Sequence, residues 1–221
     1  LYFLKRSHDA PINDRLSFDL LKWSVVPAYG LSVLWMDLPW IIYGVIVVFV
    51  ILQTIGIARL MLEFYKLKNV IMNKLVSVVK WGSIFSAVAY VIKFMLQLFS
   101  VIPAIHKLAF GFRPIVIAYL HLVLLAATST TLILLMTGLG IFKFNRRFAI
   151  GFYLLITGIF FNESILAIQG FASLEYIAIP WANTALLFVS LAMLTGITIM
   201  FVAQFASKQN SQTTTPGHNH G

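Results

Sequence analysis

Long apolar runs separated by short polar loops dominate the chain. An α-helix needs about 20 residues to cross the hydrocarbon core of a bilayer. Five runs reach that length: Trp40–Leu60, Leu75–Ile102, Pro114–Gly140, Phe148–Gly170 and Trp181–Ala206. Because these runs are apolar on all sides rather than at every second residue, they predict helices and not the strands of a membrane barrel.

A sixth run, Leu16–Trp35, is weaker, with Asp19 and Lys22 in its first turns and Pro27 near its middle. The basic residues in the loops and at the ends of the runs support it, because segments rich and poor in Lys and Arg alternate along the chain. Six crossings from a cytoplasmic N-terminus leave twelve of these bases inside and two outside, as the positive-inside rule requires. We therefore expect an all-α bundle of about six transmembrane helices over residues 16–206, with both ends in the cytoplasm.

Composition agrees with a membrane protein. Hydrophobic residues make up 60% of the chain and charged residues 10%, against roughly 25% charged residues in soluble domains. The surface must therefore meet the lipid bilayer. The net charge of +9 does not indicate a nucleic-acid partner, because most bases lie in short loops between spans. The absence of cysteine excludes disulfides and thiolate metal sites.

The two ends differ from the apolar body. Residues 1–15 predict a cytoplasmic flank, and the polar residues 207–221 predict a disordered cytoplasmic tail. The chain begins at Leu1 and shows no signal-peptide pattern. We therefore expect a fragment of a longer protein, with further helices upstream.

Polar groups inside the spans are the candidate chemistry, because an ionisable residue in the bilayer is costly. Lys93, His121 and Glu163 fall in the third, fourth and fifth predicted spans. At a rise of about 1.5 Å per residue, each is expected roughly 10 to 15 Å below the outer surface. Asn162 joins this layer, and Gln169 lies nearer the surface. The layer predicts a buried site that holds a cofactor or relays protons.

A structural explanation of the same residues stays open. Lys93 could extend to the surface, Glu163 could pair with it or be neutral, and His121 could hydrogen-bond to a neighbouring helix. The hydroxyl residues Thr128–Thr131 are expected to bond back to their own helix or to join helices. The sequence contains no Gly-rich phosphate loop, serine-nucleophile elbow or paired-carboxylate catalytic pattern.

Residues 116–124, Val-Ile-Ala-Tyr-Leu-His-Leu-Val-Leu, resemble the tenth helix of the heme–copper oxidase catalytic subunit. That helix carries two histidines at positions i and i+2, which serve the high-spin and the low-spin heme. By position, His121 matches the low-spin heme ligand, and Tyr119 stands in the place of the high-spin ligand. Arg113 lies near the outer end of the helix, where we hypothesise that it meets heme propionates.

The chain is also similar to an uncharacterised bacterial multi-pass membrane family that is distantly similar to these oxidases. The segments Phe110–Leu125 and Asn162–Gly170 carry the likeness, within a region from Trp23 to Phe205. The resemblance implies that this chain is the carboxy-terminal half of a protein of about twelve helices. Tyr119 replaces a histidine, and the first helix has no adjacent histidine pair for copper. We therefore do not expect oxygen reduction by this chain alone.

The resemblance implies a heme-binding protein of the bacterial inner membrane, with His121 as one axial metal ligand and a role in electron transfer or respiration. Upstream helices would supply the second ligand, and other respiratory subunits would be partners. Two alternatives stay open. One is a proton-coupled transporter or channel that uses Lys93 and Glu163 as a charge pair. The other is a structural subunit of a membrane complex.

Overall fold

The computed structural model of the chain describes residues 39–74, 77–105 and 111–212, together with Asp19, Lys22 and Trp23. Every regular element in these ranges is a helix. Apart from those three residues, the predicted span Leu16–Trp35 lies outside the described part. So do the flank 1–15 and residues 213–221 of the predicted tail.

Five of the described helices are long and apolar enough to cross a membrane, which confirms an all-helical membrane bundle. Their bounds are α1 Trp40–Lys74, α2 Ser77–Phe99, α3 Arg113–Gly138, α4 Arg146–Leu174 and α5 Ala182–Gln212. Each begins within a few residues of a predicted run. The apolar part of α1 ends at Leu62 and that of α5 at Phe205, although both helices continue further.

Successive helices run in opposite directions, as repeated crossings of a membrane require. Four contacts between helices fix these directions: Gln53 with Gln97, Ser86 with Thr131, Ile115 with Gly170, and Asn145 with Ala203. Helices α2 and α4 are therefore parallel to each other and antiparallel to α3. The loop with Lys143, which precedes α4, lies at the end of the bundle opposite to Arg113.

Helices α4 and α5 are in direct backbone contact. A Cβ atom built on Gly151 would lie 2.7 Å from the carbonyl oxygen of Gly196, and one built on Gly196 would lie 2.8 Å from that of Gly151. Ala203, about two turns after Gly196 along α5, is fully buried. The hydrophobic effect does not drive association between helices in lipid, so close packing of small residues has to do so. The two glycines therefore hold this helical hairpin together.

A large side chain placed against a glycine joins α2 to α4. Phe152 is only 1% exposed, and its ring edge would be 2.7 Å from a Cβ atom on Gly82. The ring also stacks on Phe148, with the two rings 9° from parallel. Because this contact holds α2 against α4, the two helices that carry Lys93 and Glu163 have a fixed position along each other.

The glycine contact between α4 and α5 predicts the stability of a minimal variant. Alanine forms a helix better than glycine by about 1 kcal/mol, yet Gly151→Ala puts a methyl group into the Gly196 backbone. We expect Gly151→Ala to lower the free energy of unfolding by about 1–3 kcal/mol, as overpacking does. Thermal unfolding of the purified protein in detergent measures the change.

The matched control is Gly44→Ala on α1, because a Cβ atom there meets nothing within 4 Å. This variant should unfold at or slightly above the wild-type temperature. Equal unfolding temperatures for the two variants would contradict the packing described here.

Candidate functional site

The ionisable residues of α2 and α4 lie at one depth. Starting from the contact between Gly82 and Phe152, Lys93 is eleven residues further along α2 and Glu163 eleven residues further along α4. The two helices are parallel and rise equally by about 1.5 Å per residue. Lys93 and Glu163 are therefore level with each other.

His121 lies at a similar depth. A Cβ atom on Gly170 of α4 would be 3.5 Å from Ile115 of α3, so these two residues are level. His121 follows Ile115 by six residues, and Glu163 precedes Gly170 by seven. Since α3 and α4 are antiparallel, the imidazole and the carboxyl group come within one helical turn of the same level.

The imidazole of His121 is held by its own helix. Its Nδ1 atom lies 2.9 Å from the carbonyl oxygen of Ile117, one turn earlier. A carbonyl can only accept a hydrogen bond, so Nδ1 carries the proton in this contact, and in the corresponding neutral tautomer the lone pair is on Nε2. Nε2 makes no hydrogen bond to any residue that the structure describes. The half-buried ring therefore has one anchored nitrogen and one open to a ligand.

Glu163 lies at the level of His121, within the range of a Coulomb interaction with a charged imidazole. No hydrogen bond or ion pair joins the two side chains in the described part of the chain. The buried amide of Asn162 donates a long hydrogen bond of 3.5 Å to Glu163 Oε1. A carboxyl group and an amide thus lie near the imidazole where α3 packs on α4.

Lys93 forms a separate polar group, although it is level with Glu163. Its ammonium donates to Oε1 of Gln97 at 2.6 Å and lies 3.8 Å from the centre of the Phe94 ring. Gln97 in turn donates to Gln53 of α1 at 2.7 Å. The structure therefore does not bring Lys93 and Glu163 together as a charge pair.

The other predicted residues are spread around these two groups. Tyr119 is half-buried on α3, two residues before His121 and hence on a nearly opposite side of the helix. Arg113 is exposed at the first residue of α3. Gln169 donates to Asn183 at 3.4 Å and links α4 to α5 near the same end of the bundle.

A π-helix occupies Leu122–Ser129, directly after His121. The hydroxyl groups of Thr128, Ser129 and Thr130 each donate to the carbonyl five residues earlier, at 2.7, 2.8 and 3.3 Å. This confirms that the hydroxyl cluster bonds back to its own helix. Segments of π-helix are rare and frequently occur at functional sites. The π-helix beside His121 therefore supports a functional site at this depth of the bundle.

The hydroxyl cluster also joins two helices. Thr131 Oγ1 lies 2.5 Å from Ser86 Oγ of α2 and donates to the Ala127 carbonyl at 2.7 Å. The Ser86 hydroxyl is itself 3.3 Å from that carbonyl. This small network fastens α2 to α3, about two turns from Lys93 along α2 and nearly three turns from His121 along α3.

The sequence pattern did not predict two residues of the site. Gln53 is a single amide in an apolar run, and Ser86 is one of several hydroxyl residues in its span. Their only signal was polarity itself, because the pattern did not reveal which side of each helix faces the bundle. Among the described residues, His121 is the only histidine, and no three His, Asp or Glu side chains cluster as a metal site would require.

Comparisons of the chain with protein families, with curated proteins and with solved structures yield no match.

The hydrogen bond between Ser86 and Thr131 predicts a measurable coupling. We expect Ser86→Ala and Thr131→Val to destabilise the bundle, and the double variant to lose less than the sum of the two. The coupling energy should be about 0.6 kcal/mol, the average for hydrogen bonds between transmembrane helices. A double-mutant cycle on the free energy of unfolding in detergent checks this.

Ser190→Ala is the control, because that hydroxyl is exposed and bonds only within its own helix, to the Leu186 carbonyl. Combined with Thr131→Val it should show no coupling. Simple additivity of Ser86→Ala and Thr131→Val would mean that the hydrogen bond contributes nothing.

Proposed function

We propose that this chain is a heme-binding protein of the bacterial cytoplasmic membrane, in which His121 supplies one axial ligand to the iron through Nε2. The observation that supports this is the state of the ring: Nδ1 is anchored to the Ile117 carbonyl, and Nε2 is unpaired among the described residues. When the nitrogen that does not bind the metal donates a hydrogen bond to a backbone carbonyl, this bond fixes both the tautomer and the orientation of a ligating histidine.

The residues around His121 fit such a group in part. Neutral imidazole is the form that binds iron, and heme would supply one-electron redox chemistry there. Arg113, exposed at the outer end of α3, could meet the propionates. No second histidine occurs among the described residues, so the second axial ligand would come from helices outside them.

Glu163 and Asn162 would act on the ligand rather than on the iron itself. When ionised, Glu163, which lies near the imidazole, would stabilise the more positive ferric state and lower the reduction potential, as charge around a heme does. The buried Asn162 amide, which donates to Glu163, would hold that carboxylate in place. We infer electron exchange with other respiratory subunits as the role.

Removal of His121 tests the proposal. We expect the full-length protein, purified after expression with adequate heme supply, to show a Soret band that His121→Ala loses and that added imidazole restores. Restoration by imidazole separates the loss of a ligand from the loss of the fold. Absorption spectra, with size-exclusion profiles of the same samples, measure both.

Tyr119→Phe is the control for that experiment, because it removes a polar group two residues away and leaves the imidazole in place. Its Soret band should match that of the wild type. A wild-type protein without a Soret band, or an unchanged band in His121→Ala, would refute heme ligation by His121.

We also propose that the bundle end that carries Lys143, Arg146 and Arg147 faces the cytoplasm, with both chain ends on that side. The opposite end presents Arg113 as the single base among its described residues. This asymmetry is the one that the positive-inside rule selects.

Single cysteines can report this orientation, because the chain contains none of its own. Phe144, before α4, and Tyr176, after α4, are 40% and 88% exposed and lie at opposite ends of the bundle. In intact cells, an impermeant maleimide should label Tyr176→Cys and should reach Phe144→Cys only after the membrane is disrupted. The reverse labelling pattern would invert the topology.

A further inference from the structure

A directed chain of hydrogen bonds crosses from α2 to α1 at the level of Lys93. The Lys93 ammonium donates to Gln97 Oε1 at 2.6 Å, and Gln97 Nε2 donates to Gln53 Oε1 at 2.7 Å. Gln53 and Gln97 are only 7% and 6% exposed. These are amide groups buried between two helices in the outer half of the apolar region, and not polar side chains at a lipid surface.

The Lys93 ammonium sets the donor-to-acceptor direction of the whole series of hydrogen bonds. It offers three N–H donors and no acceptor, so Gln97 must turn its carbonyl oxygen towards Lys93. The amide nitrogen of Gln97 then faces Gln53, whose oxygen accepts. The chain therefore ends in the NH₂ group of Gln53, which donates to none of the residues that the structure describes.

Both ends of this chain keep unused donors. The only hydrogen bond that Lys93 makes to a described residue is the one to Gln97, so two of its three N–H groups lack a protein acceptor. At the other end, the amide of Gln53 is only 7% exposed and its N–H groups have no acceptor among the described residues, although burying an unpaired donor is costly. The group thus offers unused N–H donors at both ends, while each amide oxygen accepts one hydrogen bond and keeps a second lone pair.

The charge of the group is also uncompensated. A cation within a transmembrane helix normally pairs with an anion or faces an aqueous cavity. The nearest ring, that of Phe94, contributes only a cation–π contact. Among the described residues no carboxylate bonds to Lys93, and Glu163 at the same depth accepts from Asn162 and lies near His121.

We propose that the α1–α2 interface binds a small monovalent anion, a halide or a small carboxylate, through the two N–H groups of the Lys93 ammonium that bond to no described residue, while Gln97 and Gln53 hold the ammonium in place. One positive charge balances one negative charge, whereas a phosphate dianion would leave an excess negative charge in the membrane. The positive charge of Lys93 opposes the binding of a cation at this position. The proposal does not depend on heme at His121.

Anion-dependent stability of the full-length protein in lipid nanodiscs tests the site. Chloride replaces gluconate, a large polyhydroxylated anion, at constant ionic strength. The wild-type unfolding temperature should rise with the chloride concentration, with the curvature expected for a single saturable site. This behaviour is expected because a ligand that binds only the folded state stabilises it. Formate should act in the same way, because it carries the same charge on a small carboxylate.

Three variants locate the effect. Lys93→Met keeps the length of the side chain but removes the charge, and it should abolish the chloride-dependent shift. Gln53→Leu removes the acceptor that holds Gln97 in its orientation towards Lys93, and it should raise the chloride midpoint about fivefold, as expected for the loss of a typical hydrogen bond. Lys80→Met removes another lysine of α2, which makes no contact with the chain of amides, and should keep the wild-type shift.

A shift that persists in Lys93→Met, or a wild type that responds to neither chloride nor formate, would overturn the proposal. If Lys93→Met fails to fold, Lys93→Arg preserves the charge and should retain the shift. The broadening of the ³⁵Cl resonance by wild-type protein, compared with Gln53→Leu, then gives a second reading of the same site. Equal broadening by the two proteins would count against it.

Discussion

Lipid offers no hydrogen bonds, so every polar group within the bilayer must find its partner inside the protein. Most polar side chains in these helices obey this rule in the simplest way, by donating to the carbonyl one turn earlier. Ser83, Thr195 and Thr198 all do so, at 2.8 Å. Other polar groups keep an unused donor or lone pair among the described residues. They include the Nε2 atom of His121, the ammonium of Lys93 and the terminal amide of Gln53.

The frame that holds these groups depends on glycines at the contacts between helices, beside a core of buried apolar side chains. In lipid, close backbone approach takes over from the hydrophobic effect as the force that joins helices. The contact between Gly151 and Gly196 joins α4 to α5, and the Phe152 ring against Gly82 joins α2 to α4. Because these contacts lie well below the polar level, they set the register at which Lys93 and Glu163 are level without using either residue.

Length and apolarity alone predicted the helices, because a span has to match the thickness of the membrane. The alternation of loop charge predicted how the helices alternate, and this indicated the depth of Lys93, His121 and Glu163. Rotation about each helix axis was beyond such reasoning. The runs are apolar on every side, so nothing in the sequence distinguishes a side that meets lipid from one that meets a neighbour. For that reason the sequence did not indicate Gln53, and it allowed Lys93 and Glu163 to be partners. The π-helix after His121 was not predicted either, because only four successive hydroxyl residues mark it in the sequence.

The separation of Lys93 from Glu163 is itself informative. If stability alone mattered, opposite charges at the same depth would be expected to pair, because two isolated charges in lipid cost more than one ion pair. Instead, each charge sits in its own group of neutral polar side chains, on different pairs of helices. Lys93 donates to the amides between α1 and α2, and Glu163 accepts from Asn162 of its own helix. The two polar groups are therefore independent of each other, so a ligand of Lys93 and a ligand of His121, as proposed above, would bind without contacting one another.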